Sequence, residues 1–136
     1  MKKTLLLIAC ISLALSVQAG TSKQDNLTVR TGRSSWSQSN GSYSTAGHGW
    51  KFVFVDVSIV NNRSADVYVN PTRFELIDSK GGVYDWTPAN QNGLDSVTLR
   101  SGTKTSGKLA FKIPYNAKPK RLIFKISYDE EMEIRL

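Results

Sequence analysis

Beyond its first nineteen residues the sequence predicts an all-β fold, an antiparallel immunoglobulin-like β-sandwich of about seven to eight strands. Apolar and polar residues alternate with period two in 50–60, 108–113, 122–127 and 131–136, the pattern of strands buried on one face. No segment after residue 19 keeps a helical period for about ten residues. Turn formers separate the runs: Asn61 and Asn62, Gly81 and Gly82, and Pro71, Pro88, Pro114 and Pro119.

In chain order, Gly20–Gln24 reads as a polar, frayed start, and Asn26–Thr31 as a first strand through Leu27 and Val29. Gly32–Gly49 is a Ser- and Gly-rich tract interrupted by Trp36 and Tyr43. It is longer than most connections in compact domains, so it is a functional loop, a disordered one, or the cover for a short edge strand. Trp50–Val60 is the strongest strand, with Val53, Val55, Val57 and Ile59 on the core face and Phe52, Phe54, Asp56 and Ser58 on the other.

Asp66–Val69 and Arg73–Ile77 follow, divided by Pro71, which cannot donate to a central ladder and marks an edge or corner. Gly81 and Gly82 turn the chain into a strand near Val83–Trp86, and Leu94–Leu99 is a short strand or a crossover. Leu109, Phe111 and Ile113, then Leu122, Phe124 and Ile126, point inward on the next two strands. Met132, Ile134 and Leu136 do so on the last, after the acidic turn Asp129–Glu130.

The first residues have a different character. Lys2 and Lys3 precede an uncharged stretch from Thr4 to Ala19, and Val17, Gln18 and Ala19 present small residues at the −3 and −1 positions. This is the grammar of a cleavable signal peptide over 1–19, leaving 20–136 as one domain. The apolar run is shorter than the roughly 20 residues of a spanning helix, so no transmembrane segment is expected after cleavage. Leu7, Ile8, Ala9 and Cys10 resemble a lipobox, and lipidation at Cys10 is the alternative. The expected address is extracytoplasmic, periplasmic or secreted. Cys10 is the one cysteine of the chain, so the domain relies on packing and not on disulfides.

Loss of Lys2 and Lys3 lowers the net charge from +7 to about +5, which favours encounter with anionic surfaces. Nucleic acid is not expected as a partner, because the address is exported and neither Arg-rich blocks nor RNA-type aromatic motifs occur.

The run Gly49–Asn62, the segment Phe74–Gly81, Ser101–Gly102 and Gly107–Pro114 resemble, in that order, a domain of unknown function found in bacterial secreted proteins and lipoproteins. That domain is described as telokin-like and similar to a mycobacterial immunoprotective extracellular antigen. The resemblance covers roughly Asn26–Ser127 and rests on structural motifs. It implies an immunoglobulin-like sandwich in an extracytoplasmic setting and carries no catalytic residues.

The residues themselves point to no catalytic constellation and no cofactor. A transition-metal site needs converging His, Cys or Met ligands, and His48 and Met132 are far apart in sequence. Asp78, Asp129 and Glu130 lack the spacing of a calcium loop. The lone His48, between Gly47 and Gly49, has no nucleophile elbow near it. Glu131 and Glu133 share a strand face with Arg135, which reads as solvated charge. The expectation is therefore a non-enzymatic binding or accessory module whose partner is a protein or an anionic envelope surface. The alternative is a small envelope enzyme or an inhibitor of a protease or other hydrolase. Candidate contacts are Trp36, Tyr43 and His48, in a tract whose Ser, Gly, Asn and aromatic composition is that of antibody binding loops; the competing reading is that Trp36 folds back to plug one end of the sandwich while the rest of the tract is disordered. A second candidate is a basic patch of Lys108, Lys112, Arg121 and Lys125, which forms only if their strands share a sheet face.

Overall fold

The structure is a computed structural model and describes residues 20–42 and 44–136. Residues 1–19, where a signal peptide is expected, with Cys10, and Tyr43 lie outside the described residues. The described chain forms strands β1 (Thr21–Gln24), β2 (Leu27–Thr31), β3 (Ser35–Ser37), β4 (Trp50–Asn61), β5 (Val67–Val69), β6 (Phe74–Asp78), β7 (Val83–Thr87), β8 (Val97–Leu99), β9 (Thr103–Pro114), β10 (Pro119–Ser127) and β11 (Glu130–Arg135). A single 3-10 turn, Pro71–Arg73, precedes β6. There are more strands than the sequence pattern suggests, because the added ones are short or polar and show no alternation.

One of them is β1, where the sequence pattern suggests a frayed start. It pairs antiparallel with β2 from Thr21↔Arg30 to Gln24↔Leu27. Asp25 and Asn26 both take positive φ, 46° and 63°, as a two-residue turn of the I′ type requires. Another is β3, hidden in the polar tract, which pairs with β4 through Trp36↔Val53. β2 pairs with the other half of β4, from Leu27↔Asn61 to Thr31↔Val57. The two short strands thus lie end to end along one edge of β4. Beyond β3 the chain folds on itself, with Ala46 N donating to Gln38 O at 2.8 Å and Asn40 N to Ser44 O at 2.9 Å. Phe52, opposite Ser37, is buried at 4 % exposure although it belongs to the outer parity of β4.

β4 and β9 form the central ladder, in register from Trp50↔Pro114 to Asn61↔Thr103. The main sheet runs β1-β2-β4-β9-β7-β6-β10-β11, while β5 and β8 form a separate pair. β7 is the corner: Trp86 and Thr87 pair with β9, and Val83–Asp85 pair with β6. The sheet doubles over there into two antiparallel layers, an immunoglobulin-like sandwich. Its first and last strands meet again. Gly20 lies so close to the Arg135 carbonyl that a Cβ would not fit, and Gln24 Nε2 donates to Glu130 Oε2 at 2.9 Å.

The core is the inward set the alternation marks. Val55, Ile59, Leu109, Phe111, Ile113, Leu122, Phe124 and Ile134 have no exposure, and Phe74 stacks on Phe124 with centroids 4.5 Å apart. Leu94 reaches this core by crossing β9, its N–H donating to Lys108 O at 3.0 Å. Gly107 permits that crossing, since a Cβ there would run into the Leu94 backbone.

Candidate functional site

One end of the sandwich collects large exposed rings. β4 begins there at Trp50 and β9 ends there at Pro114. The ladder continues one bond further, Tyr115 N donating to Gly49 O at 2.8 Å. The preceding turn needs Gly47 and Gly49 at φ 91° and 85°, a conformation that L side chains rarely adopt. β3 delivers Trp36 to the same end, where its ring meets Tyr115 edge-on, centroids 5.4 Å apart at 87°. Trp36, Trp50 and Tyr115 are 53 %, 41 % and 46 % exposed.

Lysines lie over these rings. Lys51 Nζ is 5.6 Å from the centroids of both Trp36 and Tyr115, and Lys112 Nζ is 5.5 Å from that of Trp50. Cation–π attraction of this kind holds an ammonium beside an apolar face without a carboxylate partner. Between the 47–49 turn and the 114–116 loop opens a cleft of about 470 Å³, lined by Gln38, His48, Pro114, Tyr115 and Asn116. The segments that carry these rings and lysines, 35–37, 47–51 and 112–116, contain no Asp or Glu, and the 78–84 turn, with Asp78, lies against Pro114 and Asn116.

Of the residues singled out in sequence, Trp36 and His48 are brought to this one end, joined through Tyr115. The four basic candidates are not brought together. Lys108 and Lys112 are on β9, Arg121 and Lys125 on β10, with β7 and β6 between them. Lys108 Nζ stands 3.9 Å from Asp56, Arg121 pairs with Glu133 at 3.1 Å, and Lys125 with Glu75 at 3.2 Å. Lys112 alone of the four joins the aromatic end. Trp50, Lys51 and Tyr115 were missed in sequence. Tyr115, an isolated ring in a proline-bounded polar loop, carries the signal that marks Trp36.

The titratable groups with displaced pKa values serve the fold. Glu130 is held at about 2 by hydrogen bonds from Arg63 and Gln24, and the bond to Glu130 raises Arg63. Asp78 is lowered by a bond from the Tyr84 hydroxyl at 2.7 Å and by the N–H groups of Gly82 and Lys80. The same bond raises Tyr84. Asp78 and Glu130 are thus engaged in separate structural contacts, and the described residues contain no group of three or more His, Cys, Asp or Glu placed to hold a metal ion.

A family model described as a domain of unknown function, DUF4352, matches residues 17–133. Among solved structures, the YcdA protein of Bacillus subtilis, described as a lipoprotein candidate, is similar at TM-score 0.72 and 15 % identity, over 85 % of this chain and 38 % of that one. The chain thus spans about two-fifths of the length of YcdA. The secreted protein MPT63 of Mycobacterium tuberculosis is similar at TM-score 0.58 and 15 % identity, over 87 % of this chain and 91 % of that one. The YjhA protein of Bacillus subtilis is similar at TM-score 0.65 and 17 % identity, over 85 % and 95 %. No curated protein matches the sequence.

Proposed function

The chain belongs to the DUF4352 family, a domain of unknown function, and we propose that it is a non-enzymatic binding module of the extracytoplasmic space. The observation that carries this reading is the exposed group of Trp36, Trp50 and Tyr115 at one end of a rigid sandwich, with lysines over the rings. Aromatic side chains give large contact area for little entropy loss and dominate binding hot spots. A group of exposed rings gathered at one place on the surface, unlike rings scattered singly, is a mark of an interaction site.

The address is supported by the Lys-led apolar stretch over 2–19 and by similarity to a secreted protein and a lipoprotein candidate. Among the described residues no helix is long and apolar enough to cross a membrane. An inhibitor of a hydrolase, like a binding module, uses exposed rings; an envelope enzyme calls for titratable groups of displaced pKa in the cleft. The residues that line it include none of the displaced groups Arg63, Asp78, Tyr84 and Glu130.

The test is comparative capture from the native envelope fraction, with wild type and the double variant Trp36→Ala, Tyr115→Ala on parallel supports. The retained material should depend on the two rings while both proteins melt cooperatively. Equal retention by a folded variant would falsify the reading.

A further inference from the structure

We infer that the aromatic end docks on an anionic lipid headgroup surface, an assignment of partner that rests on the binding-module reading of the same end. Its residues have the composition of an interfacial belt. Trp36, Trp50 and Tyr115 are half-exposed rings with one polar edge each, and Trp and Tyr concentrate at the headgroup level of bilayers. Lys51 and Lys112 stand among the rings with no carboxylate of the described residues within 4.0 Å, whereas Arg121 is paired with Glu133 and Lys125 with Glu75.

The acidic groups nearest this end in the fold are few. β7, packed on β9, contributes Asp85, one residue before the Trp86↔Phe111 pair. Asp78 is tied to Tyr84 at 2.7 Å. The end therefore presents positive charge interleaved with apolar surface, complementary to a negatively charged interface that also accepts rings.

The experiment uses the protein as recovered from the exporting cell, mixed with phosphatidylcholine vesicles or with the same vesicles containing phosphatidylglycerol, and read by sedimentation. Wild type should bind the phosphatidylglycerol vesicles and lose them as salt rises. The pair Lys51→Gln, Lys112→Gln should weaken binding about thirtyfold. The pair Arg121→Gln, Lys125→Gln, which removes the same charge elsewhere, should leave it within about twofold. Brominated phosphatidylglycerol should quench the tryptophan emission of the unmutated protein, a readout that needs no variant to fold.

Equal loss in the two lysine and arginine variants, undiminished binding to neutral vesicles, or absence of quenching would each overturn the lipid assignment. So would binding of an acidic polysaccharide, polygalacturonate, as tight as that of the vesicles. If the vesicle arms fail while envelope capture still depends on Trp36 and Tyr115, the lipid assignment falls alone. If that dependence is absent as well, the binding-module reading falls with it.

Discussion

Arg63 grips Glu130 with a two-pronged guanidinium bond, Nη1 to Oε1 at 2.9 Å and Nη2 to Oε2 at 2.6 Å. The same guanidinium donates to the carbonyls of Asp25 at 2.8 Å and Gln24 at 3.0 Å. One half-buried side chain thereby ties the β1–β2 turn and the loop after β4 to the start of β11, across the seam where the first and last strands meet. Planar, charge-assisted pairing is the strong form of such a contact.

That clamp predicts an acid limb in the stability profile. Glu130 has its pKa lowered from 4.5 to about 2 in the fold, so the unfolded chain binds a proton more readily than the native one. The resulting stability, up to about 3 kcal/mol, is fully present above pH ~4.5 and is lost as pH falls toward ~2. Asp78, also lowered, contributes in the same direction. In thermal melts Glu130→Gln should be less stable at neutral pH and show a shallower decline between pH ~5 and ~2. An identical acid limb in the variant would show that the pair contributes nothing.

Val55 is fully buried at the middle of β4, opposite Leu109. Val55→Asp places an unpaired carboxylate in the core and should destabilise the domain by more than about 4 kcal/mol, enough to unfold it. Circular dichroism with a normal cooperative transition would contradict the assignment of the faces of this strand.

At Gly107 the Leu94 backbone passes so close that a methyl group forces the two segments apart. Gly107→Ala should cost about 1–3 kcal/mol, read as a lower denaturant midpoint. Its amide-exchange signature should be faster opening of Leu94 and Lys108, whose backbone groups bond each other and Asn92.

Trp36 offers a contrast to the core. Its ring is half in solvent and makes an edge contact with Tyr115. Trp36→Ala should lower stability by only about 1 kcal/mol. A buried plug of the sandwich end would instead lose about 3–5 kcal/mol, and the melting temperature separates the two.

Maturation is open to mass spectrometry. The small residues at Val17 and Ala19 place the expected new terminus at Gly20. A diacylated Cys10 at the terminus would replace that expectation with lipid anchoring.

What the sequence by itself determined was the class of fold and most of the core. Period two is a local property of extended backbone, so Val53–Ile59, Leu109–Ile113, Leu122–Ile126 and Met132–Ile134 declared their inward faces before any strand was paired. Short or polar strands leave no such trace: β1 and β3 exist because β2 and β4 offer them unpaired backbone groups, and that demand is tertiary. The same holds for the site. Trp36 and His48 stood out as residues in a permissive tract, but nothing local joins them to Tyr115, some sixty to eighty positions on. The antiparallel register of β4 with β9 brings them to one end, and the doubling of the sheet at β7 parts Lys112 from Arg121 and Lys125. Which rings and charges share a surface is decided by strand order, a global property that residue spacing does not encode.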